Sequence, residues 1–357
     1  MDTVYSKRGL TLGCDPEFFF KNNKGVVEGA EKVLPKNGIE SRAKSKIIID
    51  GVQAELNPIP YECRANLGNE ISRCFQELQK VVTQNGKVDV NFEQVVKVTK
   101  KELCSLSKKS RVFGCGPSKN ITKGQKTKIT VDPAKYSMRS AGGHIHLGSK
   151  YFTENEKEQK DRQERVIAMM DIIVGNTCVL IDRDSYARER RRIYGRAGEY
   201  RTPKYGVEYR TLSNFWLQSY QLMSLVMGLT RLAFDIVSSS NKDHDYEAAI
   251  LKNVVRTSIV RAINNNDSEL AWNNFQKIKP TLIENINDYT DHYPLCSSNV
   301  EAFEYFVNIV ETEGLNYWFP MNPMEHWVNL PEGHETGWES FLGGKVKNDM
   351  RKTLNKK

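Results

Sequence analysis

The clearest chemical pattern in the sequence is a strand-like run with two histidines, residues 142–148 (GGHIHLG). Side chains alternate along a strand, so His144 and His146 face one way while Ile145 and Leu147 face the other. Two imidazoles on one face suit a ligand or metal site, although a strand with structural histidines has the same pattern.

Three other short segments carry acids or arginine in a similar way: residues 15–17 (DPE), 50–55 (DGVQAE) and 206–210 (GVEYR). Carboxylates and imidazoles that project from several strands of one sheet form a cation site. Arginines beside them bind phosphate oxygens. The combination predicts ATP chemistry on a metal-lined sheet.

The predicted metal ligands share hard oxygen or imidazole donors, and they are Glu17, Glu55, His144 and Glu208, with Asp15 and Asp50 as further candidates. The Asp50-Gly51 dipeptide also favours turns, which favours a structural role for Asp50. Oxygen donors suit Mg²⁺, and imidazole can join them for Mn²⁺. We expect two such ions, because a pair of cations can neutralise ATP phosphates and hold a phosphoryl group in line.

A two-stranded hairpin is predicted where residues 198–201 (GEYR) and 207–210 (VEYR) flank a PKYG turn. Arg210 lies two residues from Glu208 and therefore shares its face, and Arg201 stands in the same relation to Glu199. Glu199, Arg201 and Arg210 are the predicted catalytic residues. Cross-strand ion pairs, Glu199 with Arg210 or Glu208 with Arg201, are the alternative interpretation.

Arginines are concentrated just before this hairpin, in residues 188–196. Arg192 and Arg196, together with His146, are the candidates for binding the nucleotide. A run of this kind is also typical of a solvated helix face.

The elements that must position these residues indicate an α+β fold, with an antiparallel sheet that bears the site and helices that cover it. Apolar periodicity predicts strands over residues 10–20 and 46–56. Predicted helices cover residues 67–84, 153–182, 217–240, 246–264, 267–287 and 299–312. The expected organisation is a catalytic sheet with inserted helices in residues 1–216. Residues 217–357 form a helical part on the same core, or one domain continuous with it. Residues 119–130 are expected to form a mobile lid.

Bulk composition narrows the class of protein. The 357 residues carry a net charge of +8, which favours anionic ligands, and 39% hydrophobic residues, enough for a sizeable core. Seven scattered cysteines without a Cys-x-x-Cys pair predict reduced thiols in the cytoplasm. We expect no signal peptide, because Asp2 and the polar residues 5–8 precede only a short apolar strand. We also expect no membrane contact, because Asp171 and Arg231 interrupt the most apolar stretches.

Four motifs together resemble a known family. They are residues 13–19 (GCDPEFF), 50–58 (DGVQAELNP), 142–148 (GGHIHLG) and 198–216, which contain GEYR and EYRTLSNFW. The set is similar to the catalytic fold of glutamine synthetase and glutamate–cysteine ligase, and above all to the phage carboxylate–amine ligase type 2 family. The resemblance spans residues 13–216. It implies a mainly antiparallel sheet of the glutamine synthetase type.

By this resemblance, ATP would phosphorylate a carboxylate, and an amine would displace phosphate from the acyl phosphate to give an amide. Glu17, Glu55, His144 and Glu208 would be metal ligands, and Arg210 would stabilise the transferred phosphoryl group. His146 would lie near the nucleotide or substrate. The partners would be a small-molecule or peptide carboxylate and an amine, in the cytoplasm of the host cell of a phage.

Two alternatives remain open at this point. A metal-dependent phosphotransferase that acts on a guanidino or amino group would need similar metals and arginines. A nucleic-acid-binding module would use the basic residues in 188–201 and 119–128. Acids alternate with the arginines and repel phosphate, so the nucleic-acid interpretation is not favoured.

Overall fold

The structure is a computed structural model and describes residues 9–113, 117–122, 131–133, 135–182, 184–240, 245–292 and 319–330. Its strands are β1 (Thr11–Cys14), β2 (Glu17–Asn22), β3 (Val27–Glu28), β4 (Ile39–Glu40), β5 (Lys46–Asp50), β6 (Gln53–Asn57), β7 (Val88–Asn91), β8 (Val95–Lys97), β9 (Lys119–Asn120), β10 (Met138–Ser140), β11 (Ile145–Gly148), β12 (Glu199–Arg201) and β13 (Gly206–Tyr209).

The α-helices are α1 (Ala30–Val33), α2 (Arg64–Asn85), α3 (Lys100–Ser105), α4 (Gln159–Met170), α5 (Asn176–Val179), α6 (Ala187–Ile193), α7 (Tyr220–Ser239), α8 (Tyr246–Leu251), α9 (Arg256–Asn265), α10 (Ser268–His292) and α11 (Pro323–Val328). A π-helical turn, Asp171–Gly175, joins α4 to α5, and 3-10 helices cover Lys150–Phe152 and Asn214–Gln218.

The strands form two main antiparallel sheets. One has the order β1-β11-β13-β12-β9, and the other has the order β3-β2-β6-β5-β4 with β7 also paired to β2. A short pair, β8 and β10, lies apart from both. The pairings within the described ranges are antiparallel throughout, so the predicted α+β class with a mainly antiparallel sheet is confirmed.

The two sheets meet at Pro16. The single strand predicted for residues 10–20 is divided there into β1 and β2, because proline has no backbone N–H to donate to a ladder. The Pro16 carbonyl accepts a hydrogen bond from the Leu56 N–H at 2.9 Å, and the Glu17 N–H donates to the Gly142 carbonyl at 2.9 Å. The interruption at Pro16 is therefore the point where the chain leaves the first sheet and enters the second.

The strand predicted for residues 46–56 is also two strands, because β5 and β6 form a tight hairpin. Gly51 lies in the turn with a φ of +63°, a left-handed conformation that glycine adopts without a steric penalty. Asp50 is consequently paired with Gln53 across the hairpin. The Asp-Gly dipeptide acts here as a reversal point inside the apolar run.

Helices cover the sheets and form with them a large hydrophobic cluster that runs from Leu10 to Trp327, and a smaller cluster surrounds Phe19. The central helix is α7, which packs against α2, α4 and the 3-10 helix before it. It is long and apolar enough to cross a membrane by composition, but 83% of that stretch is buried inside the protein, as expected of a core helix.

Some predicted helix boundaries differ from the observed ones. The helix expected from Thr153 begins at Gln159, and Thr153 instead ends a 3-10 helix. The helix expected over residues 246–264 is divided into α8 and α9. The predicted helix 299–312 and most of the predicted lid, residues 123–130, lie outside the described residues.

Candidate active site

A row of polar side chains crosses the first sheet. His146 on β11 is paired with Gly13 on β1 and with Glu208 on β13, and Glu208 is paired with Arg201 on β12. Directly opposed residues in an antiparallel sheet project to the same face. Gly13 leaves room beside the imidazole, since a Cβ there would lie 3.4 Å from His146 Cβ.

Asp15 follows β1 and reaches both histidines. Its Oδ1 lies 3.0 Å from His144 Nδ1, and its Oδ2 lies 3.3 Å from His146 Nε2. His144 Nδ1 is also 3.7 Å from Glu208 Oε1. Asp15, His146 and Glu208 each offer a ligand atom within 4.8 Å of the others. We call these residues and His144 the histidine group.

Tyr205 fixes the orientation of His146. Its hydroxyl lies 2.7 Å from His146 Nδ1, and the two rings are stacked with centroids 5.9 Å apart. The other ring nitrogen, Nε2, is thereby directed towards Asp15. Imidazoles that bind metals usually make such a hydrogen bond through the nitrogen that does not face the ion.

A second cluster of acids lies where the second sheet begins. Glu17 is paired with Glu55 across β2 and β6, and the β5–β6 hairpin brings Asp50 beside them. Glu17, Asp50 and Glu55 each offer a carboxylate oxygen within 4.8 Å of the others. We call these three residues the acidic group. Gln53 donates to Glu17 Oε2 at 3.0 Å.

The glycine pair at 142–143 connects the two groups. The Gly142 N–H donates to Glu17 Oε2 at 2.5 Å, and Gly142 lies directly against His144. A Cβ at Gly142 would be 2.6 Å from His144 Nε2, and a Cβ at Gly143 would be 2.3 Å from the Ser213 carbonyl oxygen. Close packing on both sides therefore explains why glycine stands at these positions.

Two arginines approach the histidine group from the sheet. Arg210 is 1% exposed and donates a hydrogen bond to Glu208 Oε1, while Arg201 Nη1 lies 3.5 Å from the same oxygen. The Glu208–Arg201 ion pair considered above is therefore present. Guanidinium groups held this way are aligned to accept an anion next to the predicted cations.

Glu199 lies on the same face at the start of β12. Its carbonyl accepts from the Arg210 N–H at 3.0 Å, and its Oε2 accepts from the Gly195 N–H at 2.9 Å. Burial raises the pKa of the Glu199 carboxyl, and the Gly195 hydrogen bond and nearby arginines oppose this rise. The predicted catalytic residues Glu199, Arg201 and Arg210 are thus brought together.

The acidic group is electrostatically strained without cations. Burial, followed by repulsion from Asp50 and Glu55, raises the pKa of Glu17 well above its usual value. Burial and then Asp15 raise the pKa of Glu55 to about 7. Burial also acts to raise the pKa of Asp15, but the two histidines outweigh it and hold this pKa below the usual range.

The donors present fit divalent cations. His144 Nε2 is buried without a hydrogen-bond partner among the described residues, and so is His146 Nε2. The 3.0 Å contact between Asp15 and His144 is not aligned as a hydrogen bond. The histidine group would suit Mn²⁺ or Mg²⁺, and the all-oxygen acidic group would suit Mg²⁺.

Arg192 and Arg196, the two arginines predicted to bind the nucleotide, are placed elsewhere. Arg192 is exposed at the end of α6 and pairs with Glu189 at 2.8 Å. Arg196 donates through Nε to the Arg191 carbonyl at 2.8 Å. Both line a separate cavity beside α9.

The structure adds Gln53 and Tyr205 to the predicted site and gives Asp50 a larger part in it than its turn position predicts. The Asp-Gly dipeptide predicts mainly a structural role for Asp50, yet its carboxylate joins the acidic group. The Asp-Gly turn itself could have indicated this position, because a tight hairpin places Asp50 opposite Gln53, on the same face as Glu55. No local pattern marks Tyr205, which is in the turn before β13.

Comparison with known proteins connects this geometry to a family. Residues 119–308, more than half of the chain, match the model described as phage phiEco32-like COOH.NH2 ligase-type 2. The search of curated proteins gave no match. Among solved structures, the chain is similar to a bifunctional glutathione synthetase from Pasteurella multocida, with 10% identity and a TM-score of 0.41. That alignment covers 84% of this chain and 52% of the other, so this chain spans about half the length of that protein.

The matched range contains the GGHIHLG run and both strands of the EYR hairpin, while Asp15 and the acidic group precede it and join the site through the sheet pairing. The resemblance drawn from the motifs is confirmed: the chain belongs to the phage phiEco32-like family of COOH.NH2 ligases, type 2.

Proposed function

We propose that this protein is an ATP-dependent carboxylate–amine ligase that forms an amide through an acyl phosphate. The observation that carries the proposal is the convergence of the histidine group and the acidic group beside Arg201 and Arg210, in a chain of a ligase family. Cation ligands and guanidinium groups on one surface are the requirements of phosphoryl transfer.

The reaction divides into two displacements. A carboxylate oxygen of the acid attacks the γ-phosphorus of ATP, the bond to the bridging oxygen breaks, and ADP leaves. The amine nitrogen then attacks the acyl carbon, the bond to the phosphate oxygen breaks, and the nitrogen loses a proton. Inorganic phosphate leaves and the amide remains. The stoichiometry is therefore one ADP and one phosphate per amide.

Each type of side chain in the site would have a separate role in these two displacements. The histidine and acidic groups would each hold a divalent cation, which would neutralise the triphosphate and align its γ-phosphoryl group. Arg210 and Arg201 would bind the transferred phosphoryl oxygens, since a planar guanidinium can donate two parallel hydrogen bonds. Glu199, held by the Gly195 N–H, would keep the arginine side of the site in place.

The test is product analysis with the purified full chain. ATP, Mg²⁺ or Mn²⁺, and pooled amino acids and short peptides are incubated with the protein, and mass spectrometry is used to find new amides. Released phosphate is measured in parallel. Added hydroxylamine should trap the acyl phosphate as a hydroxamate. A stable phosphorylated acceptor without an amide would instead identify the phosphotransferase alternative.

Variants of the histidine group give the matched comparison. We expect Glu208→Gln and His144→Ala to lower ATP turnover roughly 100-fold or more, because each removes a cation ligand from the site. Glu77→Gln, a change on the partly exposed face of α2, serves as the control. Circular dichroism should show the same fold for all three. Unchanged turnover in both site variants would rule out the proposed function.

The nucleic-acid alternative makes a different prediction. DNA or RNA binding through the basic residues would weaken with salt and would survive Glu55→Gln and Glu208→Gln. Amide formation would then be absent. The same purified variants therefore separate the two functions.

We propose a cellular setting that the family and the cysteine thiols support. Cys14, Cys74 and Cys178 are free and buried, which supports a reducing compartment, and we place the protein in the cytoplasm of a phage-infected cell. The acid and the amine would be small molecules or peptides. Separating trapped hydroxamates by mass identifies the acid directly.

A further inference from the structure

A second site for an anion lies outside the reaction centre. Between α6, the turn after it and α9 there is a cavity of about 290 Å³. Its walls carry four guanidinium groups and three side-chain amides, from Arg188, Arg191, Arg192, Arg196, Asn120, Asn264 and Asn265. None of the described residues that line it carries a carboxylate. We propose that this cavity, the arginine cavity, binds a small phosphate-bearing molecule.

Arg191 is the buried cation of the cavity. Its side chain is 3% exposed, and one terminal nitrogen donates to Asn266 Oδ1 at 2.7 Å. Its Nε is buried without a hydrogen-bond partner among the described residues. Asp182 is the carboxylate that acts on Arg191 electrostatically, and it accepts the Ser213 hydroxyl at 3.0 Å. A buried guanidinium with an unused donor is stabilised when an anion supplies the missing acceptor.

Arg196 forms part of the cavity wall and is held there by two hydrogen bonds to backbone carbonyls. It donates through Nε to the Arg191 carbonyl at 2.8 Å and through a terminal nitrogen to the Arg192 carbonyl. These carbonyls belong to the C-terminal turn of α6, where the helix dipole is negative and would repel an anion. Their occupation by Arg196 offsets that repulsion and also fixes the guanidinium in the cavity wall.

The opposite wall adds neutral donors. Asn264 Oδ1 accepts the Ala197 N–H at 2.9 Å, which leaves the amide NH₂ group of Asn264 as a donor. The exposed arginines of the cavity are Arg188 and Arg192, and the pairing of Arg192 with Glu189 offsets one of the four charges. Several donors from two walls suit an oxygen-rich phosphate better than a single carboxylate.

The cavity is separate from the proposed reaction centre. The turn through Gly195 and Ala197 stands between them: the Gly195 N–H holds Glu199 of the reaction centre, while Ala197 lines the cavity. Carboxylates, histidines and cysteines are also lacking among the described lining residues, so a ligand here would bind to the arginines without a bridging metal ion. This difference makes the two sites distinguishable by experiment.

The test uses the full chain in EDTA with tripolyphosphate as the probe. Without cations the acids of the reaction centre repel a polyanion, so calorimetric binding reports on the arginine cavity. We expect R188Q/R192Q to weaken tripolyphosphate binding about tenfold or more, because two charge-assisted contacts are lost. Both side chains are exposed, so folding should be preserved. K108Q/K109Q removes the same charge from exposed positions elsewhere and should leave the affinity unchanged.

The outcomes separate this inference from the proposed function. Glu208→Gln should bind tripolyphosphate as the wild type does, even if amide formation is absent. The proposal is overturned if the wild type does not bind tripolyphosphate, if R188Q/R192Q binds it normally, or if Glu208→Gln loses binding. Citrate that binds as tightly would overturn the phosphate assignment. Binding of a short single-stranded RNA, but not of tripolyphosphate, would overturn the small-molecule assignment.

Discussion

His146 is held from both sides of its ring. Tyr205 contacts Nδ1 at 2.7 Å, and Asp15 contacts Nε2 at 3.3 Å. In the tautomer with the proton on Nδ1, the Tyr205 hydroxyl accepts the hydrogen bond and the Nε2 lone pair faces the histidine group. This is the form of imidazole that binds a metal ion.

We therefore expect Tyr205→Phe to weaken Mn²⁺ binding by about tenfold, because the imidazole loses the contact that orients it. Calorimetric titration of the metal-free protein with Mn²⁺ measures this. Tyr186→Phe, at an exposed position before α6, is the control. Equal Mn²⁺ affinity in wild type and Tyr205→Phe would show that the hydroxyl does not orient a ligand.

Among the secondary-structure elements, the turn that leads into β11 determines whether the histidine group and the acidic group can form side by side. Gly142 contacts Glu17 of one group and His144 of the other. A methyl group at this position would lie 2.6 Å from His144 Nε2 and 3.1 Å from the Tyr194 hydroxyl, so the imidazole would have to move.

Gly142→Ala should therefore abolish Mn²⁺ binding to the histidine group and destabilise the protein by roughly 1–3 kcal/mol through overpacking. Gly25→Ala is the control. Its φ of +73° predicts a cost of about 1 kcal/mol, but no atom would approach the new methyl group within 4 Å. Metal titration and urea unfolding of both variants measure the two effects. Normal Mn²⁺ binding by Gly142→Ala would contradict the packing argument.

The β5–β6 hairpin carries Glu55, which gives the metal-free protein a pH dependence. The pKa of Glu55 is about 7 in the fold against an ordinary 4.5, so the folded state prefers its protonated form. The contribution of this carboxyl to the free energy of unfolding is complete below about pH 4.5. This stabilising contribution is lost as the pH rises through 7, which lowers the free energy of unfolding by roughly 3 kcal/mol at most.

Glu55→Gln should remove this dependence. In EDTA, the variant and the wild type should have similar stabilities near pH 4.5, and the variant should be the more stable near pH 8. Urea unfolding at several pH values measures the difference. Added Mg²⁺ should stabilise the wild type more than the variant at pH 8. A difference of the opposite sign would mean that Glu55 is not repelled by its neighbours.

At the scale of the whole molecule, one buried acid joins the sheet to the helices. Asp171 Oδ1 accepts from the Tyr209 hydroxyl at 2.8 Å and from the Gly198 N–H at 3.1 Å, and its Oδ2 accepts from Arg256 at 2.7 Å. Gly175, in the same π-helical turn, allows Tyr209 to approach, since a Cβ there would be 2.5 Å from the hydroxyl. The Asp171 carboxylate therefore connects the first sheet, the π-helical turn and α9.

Asp171→Ala should lower the free energy of unfolding by about 3–5 kcal/mol, because it leaves the Arg256 charge and the Tyr209 hydroxyl without their acceptor. Tyr209→Phe should cost only about 1 kcal/mol. Asp161→Ala, on the exposed face of α4, should cost less than about 0.5 kcal/mol. Urea unfolding gives all three values. A small effect for Asp171→Ala would show that the contact does not hold the layers together.

The local sequence pattern was sufficient to predict the α+β class. It was also sufficient to predict which side chains share a face of the sheet. His144 and His146, and Glu208 and Arg210, lie together as the two-residue period of a strand predicts. Local pattern failed at chain reversals inside apolar runs: Pro16 and Gly51 each divide a predicted strand. It also predicts a helix start at Thr153, which instead ends a 3-10 helix, and the α-helix begins at Gln159.

The family, the alternation of acids with basic residues and the residue types able to bind cations and phosphate can all be read from the sequence without coordinates. The tertiary structure alone decided that Asp50 joins Glu17, that Asp15 instead joins the histidines, and that Arg192 and Arg196 line a separate cavity. Backbone sterics set the period of a strand within a few residues. Which distant strands pair, and in what register, depends on burying the whole core, and that information is spread over the entire chain.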